Sequence, residues 1–307
     1  MKITCPVCKN EMTLFATTKD IQANNAKETG ESYSSFECKS CDILFQYPFW
    51  APADTAGFYE NNYYAHTENL KLPRSLRLLD FYMQNGITSK LFSPFLKKKL
   101  YPYYQEIMKS KRVLDIGCGK GLFLDVMKKH NKETYGIEPS DNAKAIAIKK
   151  GHTMIDRSFL NSSEKKVKFD LITMFQVAEH LSVQEILEEK IFSGIYDSLK
   201  PGGCLVIETP NYECNYAKSF KGDWRSLELP RHLVIFSPKS IYRILKDSGF
   251  EVNVLVRVSP IDVKESFKLR YKSKSNKNRI KKFLSLCKII MFQKRNSSLL
   301  VVVAKKL

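Results

Sequence analysis

The segment RVLDIGCGKG, residues 112–121, constrains the fold of this chain more than any other. An apolar run of the kind that forms a buried strand is interrupted at Asp115. Glycines then follow at every second position, at 117, 119 and 121. Glycine lets the backbone turn sharply and approach a ligand, since no Cβ stands in the way. A helix that begins after such a turn offers unpaired backbone N–H groups. The segment therefore predicts a strand, a ligand-binding turn and a helix.

Apolar runs and amphipathic stretches alternate from this segment to the end of the chain. The predicted strands are RVLDIG, TYGIEP, FDLITMF, GCLVIETP, EVNVLVRV and SSLLVVVAKK. The helices predicted between them include LFLDVMKKH, DNAKAIAIKKG, VQEILEEKIFSGIYDSLK and SPKSIYRILKDSGF. This alternation predicts an α/β fold whose sheet is mostly parallel, with helices on both faces.

The glycine spacing and one downstream acid indicate the kind of ligand. A dinucleotide-binding turn reads G-x-G-x-x-G, whereas the third glycine comes one residue early here and position 122 is leucine. Glu138 lies 21 residues beyond Gly117, at the end of the next predicted strand. A carboxylate in that position can accept hydrogen bonds from both hydroxyls of a ribose. The pattern therefore disfavours NAD and favours a ribose that carries a small head group.

Five motifs in order resemble those of class I S-adenosylmethionine-dependent methyltransferases. They are the turn from Asp115 to Gly121, the acid at position 138, FDLITMFQVAEHL, LKPGGCLVIETPN and LPRHLVIFSPKSIYRILKDSGF. The resemblance covers roughly residues 110–307 and implies a Rossmann-like fold with a seven-stranded, mostly parallel sheet. It also implies S-adenosylmethionine as the cofactor and methyl transfer as the reaction.

The same resemblance assigns the cofactor-binding residues. They are Asp115, Gly117, Gly119, Gly121, Glu138, Phe175 and Gln176. Asp115 is expected to orient the methionine amino end or the glycine turn, and the turn itself to pass under the methionine portion. Glu138 is expected to hold the ribose, while Phe175 and Gln176 are expected to line the methionine side of the cofactor.

Two histidines are the candidate catalytic residues. His180, in AEHL, corresponds to a position near the reacting methyl group in the family, and His232, in LPRHL, to a loop on the acceptor side. A histidine with an ordinary pKa near neutrality can take a proton from a hydroxyl. The alternative for each is a packed, hydrogen-bonded histidine. Glu179 is a lesser candidate, and we expect the remaining histidines, at 66, 130 and 152, to lie at the surface.

Four of the eight cysteines form two close pairs near the N-terminus. Two residues separate Cys5 from Cys8 and Cys38 from Cys41, and 29 residues separate the pairs. Four thiolates in such knuckles are the ligand set of a closed, tetrahedral zinc site, which leaves no position for a catalytic water. A redox role for either pair is the alternative. Structural zinc in a reducing compartment is the prediction. Since no apolar leader follows the start Met and no stretch reaches the roughly 18 uncharged apolar residues of a membrane span, we expect a cytoplasmic protein.

The stretch CDILFQYPFWAPADTAGFYENNYY extends the resemblance to bacterial methyltransferases that begin with a zinc ribbon. Such proteins are associated with surface-polysaccharide and modified-sugar biosynthesis. We predict a zinc ribbon over residues 1–50, which we call the cysteine module, a helical connector or lid over 51–108 and a methyltransferase domain over 109–307. The chain ends directly after the last predicted strand, unlike the longer sugar C-methyltransferases, so we expect O-methylation rather than C-methylation.

The positive charge of the chain is concentrated near its C-terminus. Residues 264–307 hold 14 Lys or Arg against the single acid Glu265, which supplies +13 of the net charge of +18. A basic amphipathic helix is predicted within an insertion over about 264–296, with apolar residues at 280, 283, 284, 287 and 291. Its apolar face packs on the sheet or on a second subunit in one interpretation. In two others, residues 276–292 contact an anionic membrane at its inner face, or RNA.

Three functions agree with these patterns. The first is transfer of a methyl group to a sugar or other small polar acceptor in the biosynthesis of surface glycans. The second is an rRNA or tRNA methyltransferase, but the cysteine module holds five Lys or Arg against six Asp or Glu, and a module that reads nucleic acid should be positive. The third is an inactive zinc-containing binding protein, which the intact glycine turn and Glu138 disfavour.

Overall fold

The computed structural model describes residues 2–20, 32–51, 54, 74–85, 104–162, 167–257, 260–271 and 298–307. Eleven strands are assigned in these ranges: β1 Thr13–Thr18, β2 Tyr33–Cys38, β3 Ile43–Tyr47, β4 Arg112–Ile116, β5 Glu133–Ile137, β6 Thr153–Met154, β7 Phe169–Phe175, β8 Leu199–Pro210, β9 Val234–Phe236, β10 Glu251–Arg257 and β11 Leu299–Lys305. The labelled helices are α1 Arg74–Asn85, α2 Leu122–Lys129, α3 Asp141–Lys149, α4 Val183–Leu187, α5 Ile191–Ser198, α6 Asn215–Phe220, α7 Pro238–Asp247 and α8 Pro260–Tyr271. A further helical stretch covers 104–109.

Seven strands form one sheet in the order β10-β11-β8-β7-β4-β5-β6. Strands β8, β7, β4, β5 and β6 run parallel to one another, and β11 lies antiparallel between β10 and β8. The central strands are apolar along almost their whole length and buried on both faces, as a sheet covered by helices requires. This architecture confirms the predicted Rossmann-like fold and the seven-stranded, mostly parallel sheet.

The carboxyl ends of three neighbouring strands bring the predicted cofactor residues to one edge of this sheet. Gly117 follows β4, Glu138 follows β5, and Phe175 ends β7. The order of strands reverses at β4, since the chain proceeds to β5 on one side and to β7 on the other. Ligands of open α/β sheets bind at the carboxyl edge beside such a reversal. The fold therefore provides a cleft where the sequence predicts the cofactor.

The cysteine module forms a second, antiparallel sheet in the order β1-β2-β3-β9. Its last strand comes from far along the chain: Ile43 pairs with Phe236, Leu44 with Ile235, and Phe45 with Val234. Strand β9 is fully buried, so the two sheets share one apolar core that contains residues of both. The module is thereby joined to the segment that follows His232.

One helix predicted as a single element is divided in the structure. The sequence VQEILEEKIFSGIYDSLK forms α4 and α5, and Lys190 between them adopts a left-handed backbone with φ of 51°. Such a residue cannot continue a right-handed helix. Ser182 caps α4 by a reciprocal pair of hydrogen bonds with Glu185, which fixes the start of the first segment.

Parts of the predicted organisation fall outside the described ranges. These include residues 276–292, where we predicted the basic amphipathic helix, and most of the connector over 51–108, of which α1 and the stretch 104–109 are described. None of the helices in the described ranges is long and apolar enough to cross a bilayer.

Candidate active site

The glycine turn between β4 and α2 is stabilised by hydrogen bonds from its backbone. Gly117, Gly119 and Gly121 all have positive φ, at 70°, 54° and 77°, which residues with a Cβ rarely adopt. The N–H of Gly117 donates to the carbonyl of Ile137 at 2.7 Å. Within the described structure, no atom lies within 4 Å of an ideal Cβ built on Gly119. The turn therefore leaves open space in the cleft, as a cradle for the methionine portion of a cofactor requires.

Glu138 connects the glycine turn to the next helix. One carboxylate oxygen accepts from the N–H of Gly119 at 2.8 Å, and the other accepts from the N–H of Ser140 at 2.9 Å. A carboxylate offers about four acceptor positions. Both oxygens therefore keep capacity for the two hydroxyls of a ribose after these contacts are made.

Asp115 lies beneath the turn and contacts the neighbouring strand. It is buried, and its carboxylate accepts from the hydroxyl of Thr173 on β7 at 2.6 Å. Burial raises the pKa of Asp115 to about 7, although the Thr173 hydrogen bond acts in the opposite direction and nearby Glu138 raises it further. In the described structure, Asp115 thus links β4 to β7 beneath the loop that it was predicted to orient.

The end of β7 turns away from the sheet at Gln176. This residue has φ of 57°, and its N–H donates to the carbonyl of Glu208 on β8 at 2.7 Å. A non-glycine residue in this conformation is uncommon and often marks a functional site. Phe175, just before it, packs edge-on against Phe123 of α2 with ring centroids 5.1 Å apart. Gln176 therefore lies at the edge of the cleft, and Phe175 ties β7 to the helix that follows the glycine turn.

A buried hydrogen-bond network supports the glycine turn from below, and the sequence did not predict it. His152 is buried and lies between the Thr134 hydroxyl and an Asp125 carboxylate oxygen, each at 2.9 Å. A Cβ on Gly121 would come within 2.8 Å of the His152 ring. Our prediction that His152 lies at the surface was wrong, because its two polar partners come from α2 and β5 and only the packing brings them to it.

The other two histidines predicted at the surface have different outcomes. His130 is partly buried and pairs with Asp80 of α1 at 2.8 Å, with its side chain 15% exposed. It therefore has a partner that the sequence did not indicate. His66 lies outside the described residues.

Replacing Gly117 by alanine is expected to lower the free energy of unfolding by about 2–4 kcal/mol. A Cβ there would lie 2.4 Å from a methyl carbon of Val177, and the positive φ adds about 1–2 kcal/mol of strain. Denaturant unfolding of the ligand-free protein measures the change. The matched control is Gly119→Ala, which has positive φ but open space, and we expect it to cost only the strain of about 1–2 kcal/mol. Equal losses for the two variants would contradict the geometry.

Two histidines separated by 52 positions in sequence come together beyond the end of β7. The rings of His180 and His232 meet edge to face, with centroids 4.8 Å apart. The Nδ1 atom of His180 lies 3.0 Å from the carbonyl oxygen of Arg231, and that of His232 lies 2.8 Å from the carbonyl oxygen of Ser226. Since a carbonyl only accepts, each Nδ1 carries the proton and each Nε2 has a lone pair.

Glu179 completes this group, which we call the histidine cluster (Glu179, His180 and His232). One oxygen of the fully buried carboxyl accepts from the Thr209 hydroxyl at 2.9 Å. The other oxygen has no hydrogen-bond partner among the described residues and lies 4.0 Å from Nε2 of His232. One ligand atom from each member lies within 4.8 Å of the others. Glu179 was a lesser candidate in the sequence analysis. Thr209 was not predicted, because it lies on β8, 30 residues further along the chain.

Burial determines the charge of the histidine cluster. It lowers the pKa of His180 to about 3, assisted by the neighbouring His232, and it lowers the pKa of His232 to about 3 as well. The same effect raises the pKa of Glu179 to about 8, against hydrogen bonds that lower it. Both imidazoles are therefore neutral near pH 7. A neutral imidazole presents a hydrogen-bond acceptor to a hydroxyl.

The four predicted metal ligands come together in the cysteine module. The sulfurs of Cys5 and Cys41 are 3.9 Å apart, and those of Cys8 and Cys38 are 3.5 Å apart. Four sulfurs at 2.3 Å from a tetrahedral zinc ion lie about 3.8 Å from one another. All four cysteines are free, and both separations are far longer than an S–S bond of about 2.05 Å. The arrangement therefore fits a zinc ion.

Comparison with known proteins identifies related sequences. A family model described as a methyltransferase domain matches residues 70–254. A segment of 106 residues is 32% identical to a ubiquinone biosynthesis O-methyltransferase of Bradyrhizobium sp. (strain ORS 278), covering 33% of this chain and 40% of that protein. A segment of 129 residues is 28% identical to an uncharacterised methyltransferase of Oceanobacillus iheyensis, covering 39% of this chain and 60% of that protein. The matches thus span less than two thirds of either relative.

Among solved structures, a SAM-dependent methyltransferase from Archaeoglobus fulgidus aligns with a TM-score of 0.49 and 21% sequence identity. The alignment covers 69% of this chain and 93% of that chain.

Proposed function

The chain belongs to the methyltransferase domain family, and on this premise we propose that it transfers a methyl group to a hydroxyl oxygen of a small polar acceptor, a sugar or a glycan. That it is an S-adenosylmethionine-dependent methyltransferase follows from the family. The oxygen acceptor and its sugar class are the proposal. The similarity to a protein named as an O-methyltransferase supports transfer to oxygen. The resemblance of the cysteine module to those of sugar methyltransferases supports the acceptor class.

The observation that carries the proposal is the neutral histidine cluster, which begins three residues after Gln176 in the chain. Methyl transfer is an in-line displacement that needs a base only where the acceptor must lose a proton, as a hydroxyl must. The Nδ1–H groups of His180 and His232 donate to backbone carbonyls, which fixes each ring. The lone pair on each Nε2 therefore has a fixed orientation. A hydroxyl can therefore donate a hydrogen bond to an imidazole of the cluster and be oriented by it.

The residues of the cleft have separate tasks in this reaction. Bound S-adenosylmethionine supplies a methyl carbon activated by its sulfonium. Glu138, whose carboxylate also accepts from Gly119, would hold the ribose, and the open space at Gly119 would accommodate the methionine portion. The acceptor oxygen forms the new C–O bond while the C–S bond breaks. Its proton becomes strongly acidic as that bond forms, so a histidine with a pKa of about 3 can still accept it.

A zinc ion in the four-cysteine set is part of the same proposal. Four thiolates fill a tetrahedral coordination sphere, so the ion would have a structural role and take no part in methyl transfer. The division into the cysteine module, connector and methyltransferase domain remains a prediction, as does membrane contact through residues 276–292.

The test is incubation of the purified protein with methyl-labelled S-adenosylmethionine and one acceptor class at a time. Nucleotide sugars, lipid-linked glycans and total RNA are supplied separately, and products are identified by mass spectrometry. We expect label in a sugar or glycan, as an O-methyl group. Label in RNA alone would replace this proposal by the nucleic-acid alternative. Failure to bind S-adenosylmethionine in calorimetry would favour an inactive binding protein.

A further inference from the structure

The segment that carries His232 lies between two parts of the molecule. On one side, β9 pairs with β3 of the cysteine module, and the N–H of Gln46 donates to the carbonyl of Leu233 at 2.9 Å. On the other side, the N–H of Leu233 donates to the carbonyl of Glu179 at 2.8 Å. Both hydrogen bonds involve the backbone of one residue, directly after His232. The cysteine module and the histidine cluster are therefore in contact through residues 231–236.

A charged pair links the cysteine module to the same segment. The guanidinium of Arg231 donates from its two terminal nitrogens to the two carboxylate oxygens of Asp20, at 2.7 and 2.8 Å. The side chains are 5% and 14% exposed. Bidentate pairs of this kind fix the relative orientation of the two groups as well as their distance. Asp20 follows β1 by two residues, so the pair connects the outer strand of the module to Arg231.

Arg231 itself determines the orientation of the first histidine. Its backbone carbonyl accepts the Nδ1 proton of His180 at 3.0 Å, which fixes both the tautomer and the ring plane. The next residue is His232, whose ring contacts His180. A displacement of Arg231 would therefore change the lone-pair direction of His180 and the position of His232 together.

We propose that Asp20 is a positioning residue for methyl transfer, which acts through Arg231 to orient His180 and His232. The inference rests on the proposed function for its kinetic consequence, but its structural consequence can be measured without any acceptor. Among the described residues, the carboxylate contacts of Asp20 are with Arg231 and not with Glu138 or the glycine turn. Loss of its charge is therefore expected to affect turnover and not cofactor binding.

The first test compares Asp20→Asn with a matched control in the same module. Glu11→Gln removes the charge of an exposed pair, in which Lys2 and Glu11 are 3.6 Å apart with side chains 83% and 59% exposed. We expect Asp20→Asn to lower kcat about 10- to 100-fold and to leave the Kd for S-adenosylmethionine within about twofold. Glu11→Gln should match the wild type in both. Asp20→Glu keeps the charge and should recover part of the lost kcat.

The second test records ring-nitrogen NMR spectra of the five histidines in the full-length protein. The wild type should show His180 as the Nδ1–H tautomer. In Asp20→Asn, only the signals of His180 and His232 should move or show a mixture of tautomers. Glu11→Gln should give the wild-type spectrum. This result stands even where no acceptor is methylated, so it separates failure of the inference from failure of the proposed function.

Two outcomes would overturn the inference. One is an Asp20→Asn protein with wild-type kcat and wild-type histidine signals. The other is a fall of kcat accompanied by equal loss of cofactor affinity and of thermal stability, since a purely structural role predicts that combination. If Asp20→Asn fails to fold, the NMR spectrum and kcat of Asp20→Glu are measured instead, because the longer side chain changes the geometry of the Asp20–Arg231 pair. His180 signals and a kcat that both match the wild type would then reject the positioning role.

Discussion

Replacing His180 by asparagine is expected to lower kcat for methyl transfer by about 10²- to 10³-fold. Asparagine can still donate to the carbonyl of Arg231, as Nδ1 of His180 does, but it lacks the Nε2 lone pair that faces the acceptor in our proposal. Removal of a positioned proton acceptor commonly has an effect of this size. Steady-state kinetics with the methylated acceptor measure kcat, and calorimetry measures the Kd for S-adenosylmethionine, which should not change.

His130→Asn is the matched control for this substitution. His130 is also a partly buried histidine with a hydrogen-bond partner, but it pairs with Asp80 of α1 and does not belong to the histidine cluster. We expect its kcat to stay within about twofold of the wild type. A His180→Asn enzyme that keeps wild-type kcat would show that His180 accepts no proton from the acceptor. His232→Asn then indicates which of the two rings meets the acceptor.

Replacing Cys38 by serine is expected to abolish zinc binding and the fold of the cysteine module. The free energy with which four cysteines hold a structural zinc ion is about 10–16 kcal/mol, and it contributes directly to folding. A module of about 50 residues gains only about 3–5 kcal/mol from a hydrophobic core and cannot replace that contribution. Metal analysis should find one zinc per wild-type chain and none in the variant, and the thermal unfolding transition should move to lower temperature.

The control is Cys204→Ala, because Cys204 is a buried cysteine of β8 outside the ligand set. It should keep the full zinc content. A wild-type protein without zinc, or a Cys38→Ser protein that retains it, would contradict the assignment. Because β3 pairs with β9, loss of the module should also reduce methyl transfer, and added chelator should have the same effect on the wild type.

Agreement between sequence and structure is best where the chemistry is local. The β4 strand, the three glycines and the helix after them are consecutive residues, and their positive φ values are those that the glycine pattern predicts. Glu138 follows the next strand of a parallel sheet, so its place beside Gly119 results from topology alone. The two cysteine pairs likewise come together as their spacing predicts.

Agreement is weaker where a residue depends on distant partners. His152 was assigned to the surface because nothing near it in sequence suggested Thr134 or Asp125 as partners. The helix after β7 was predicted as one element because the left-handed Lys190 has an ordinary helix-forming side chain. Apolar periodicity carries no information about either feature, since both arise from packing.

The amino-acid sequence by itself determined the α/β alternation, the ligand turn and the identities of the four thiolates and two histidines, because short-range backbone preferences and spacing decide these. Only the tertiary structure decided that β9 completes the sheet of the cysteine module, that Asp20 meets Arg231, and that Glu179 lies beside both imidazoles. These contacts join segments separated by many residues. Their formation depends on which surfaces are buried against each other, and a linear pattern of residues does not specify that.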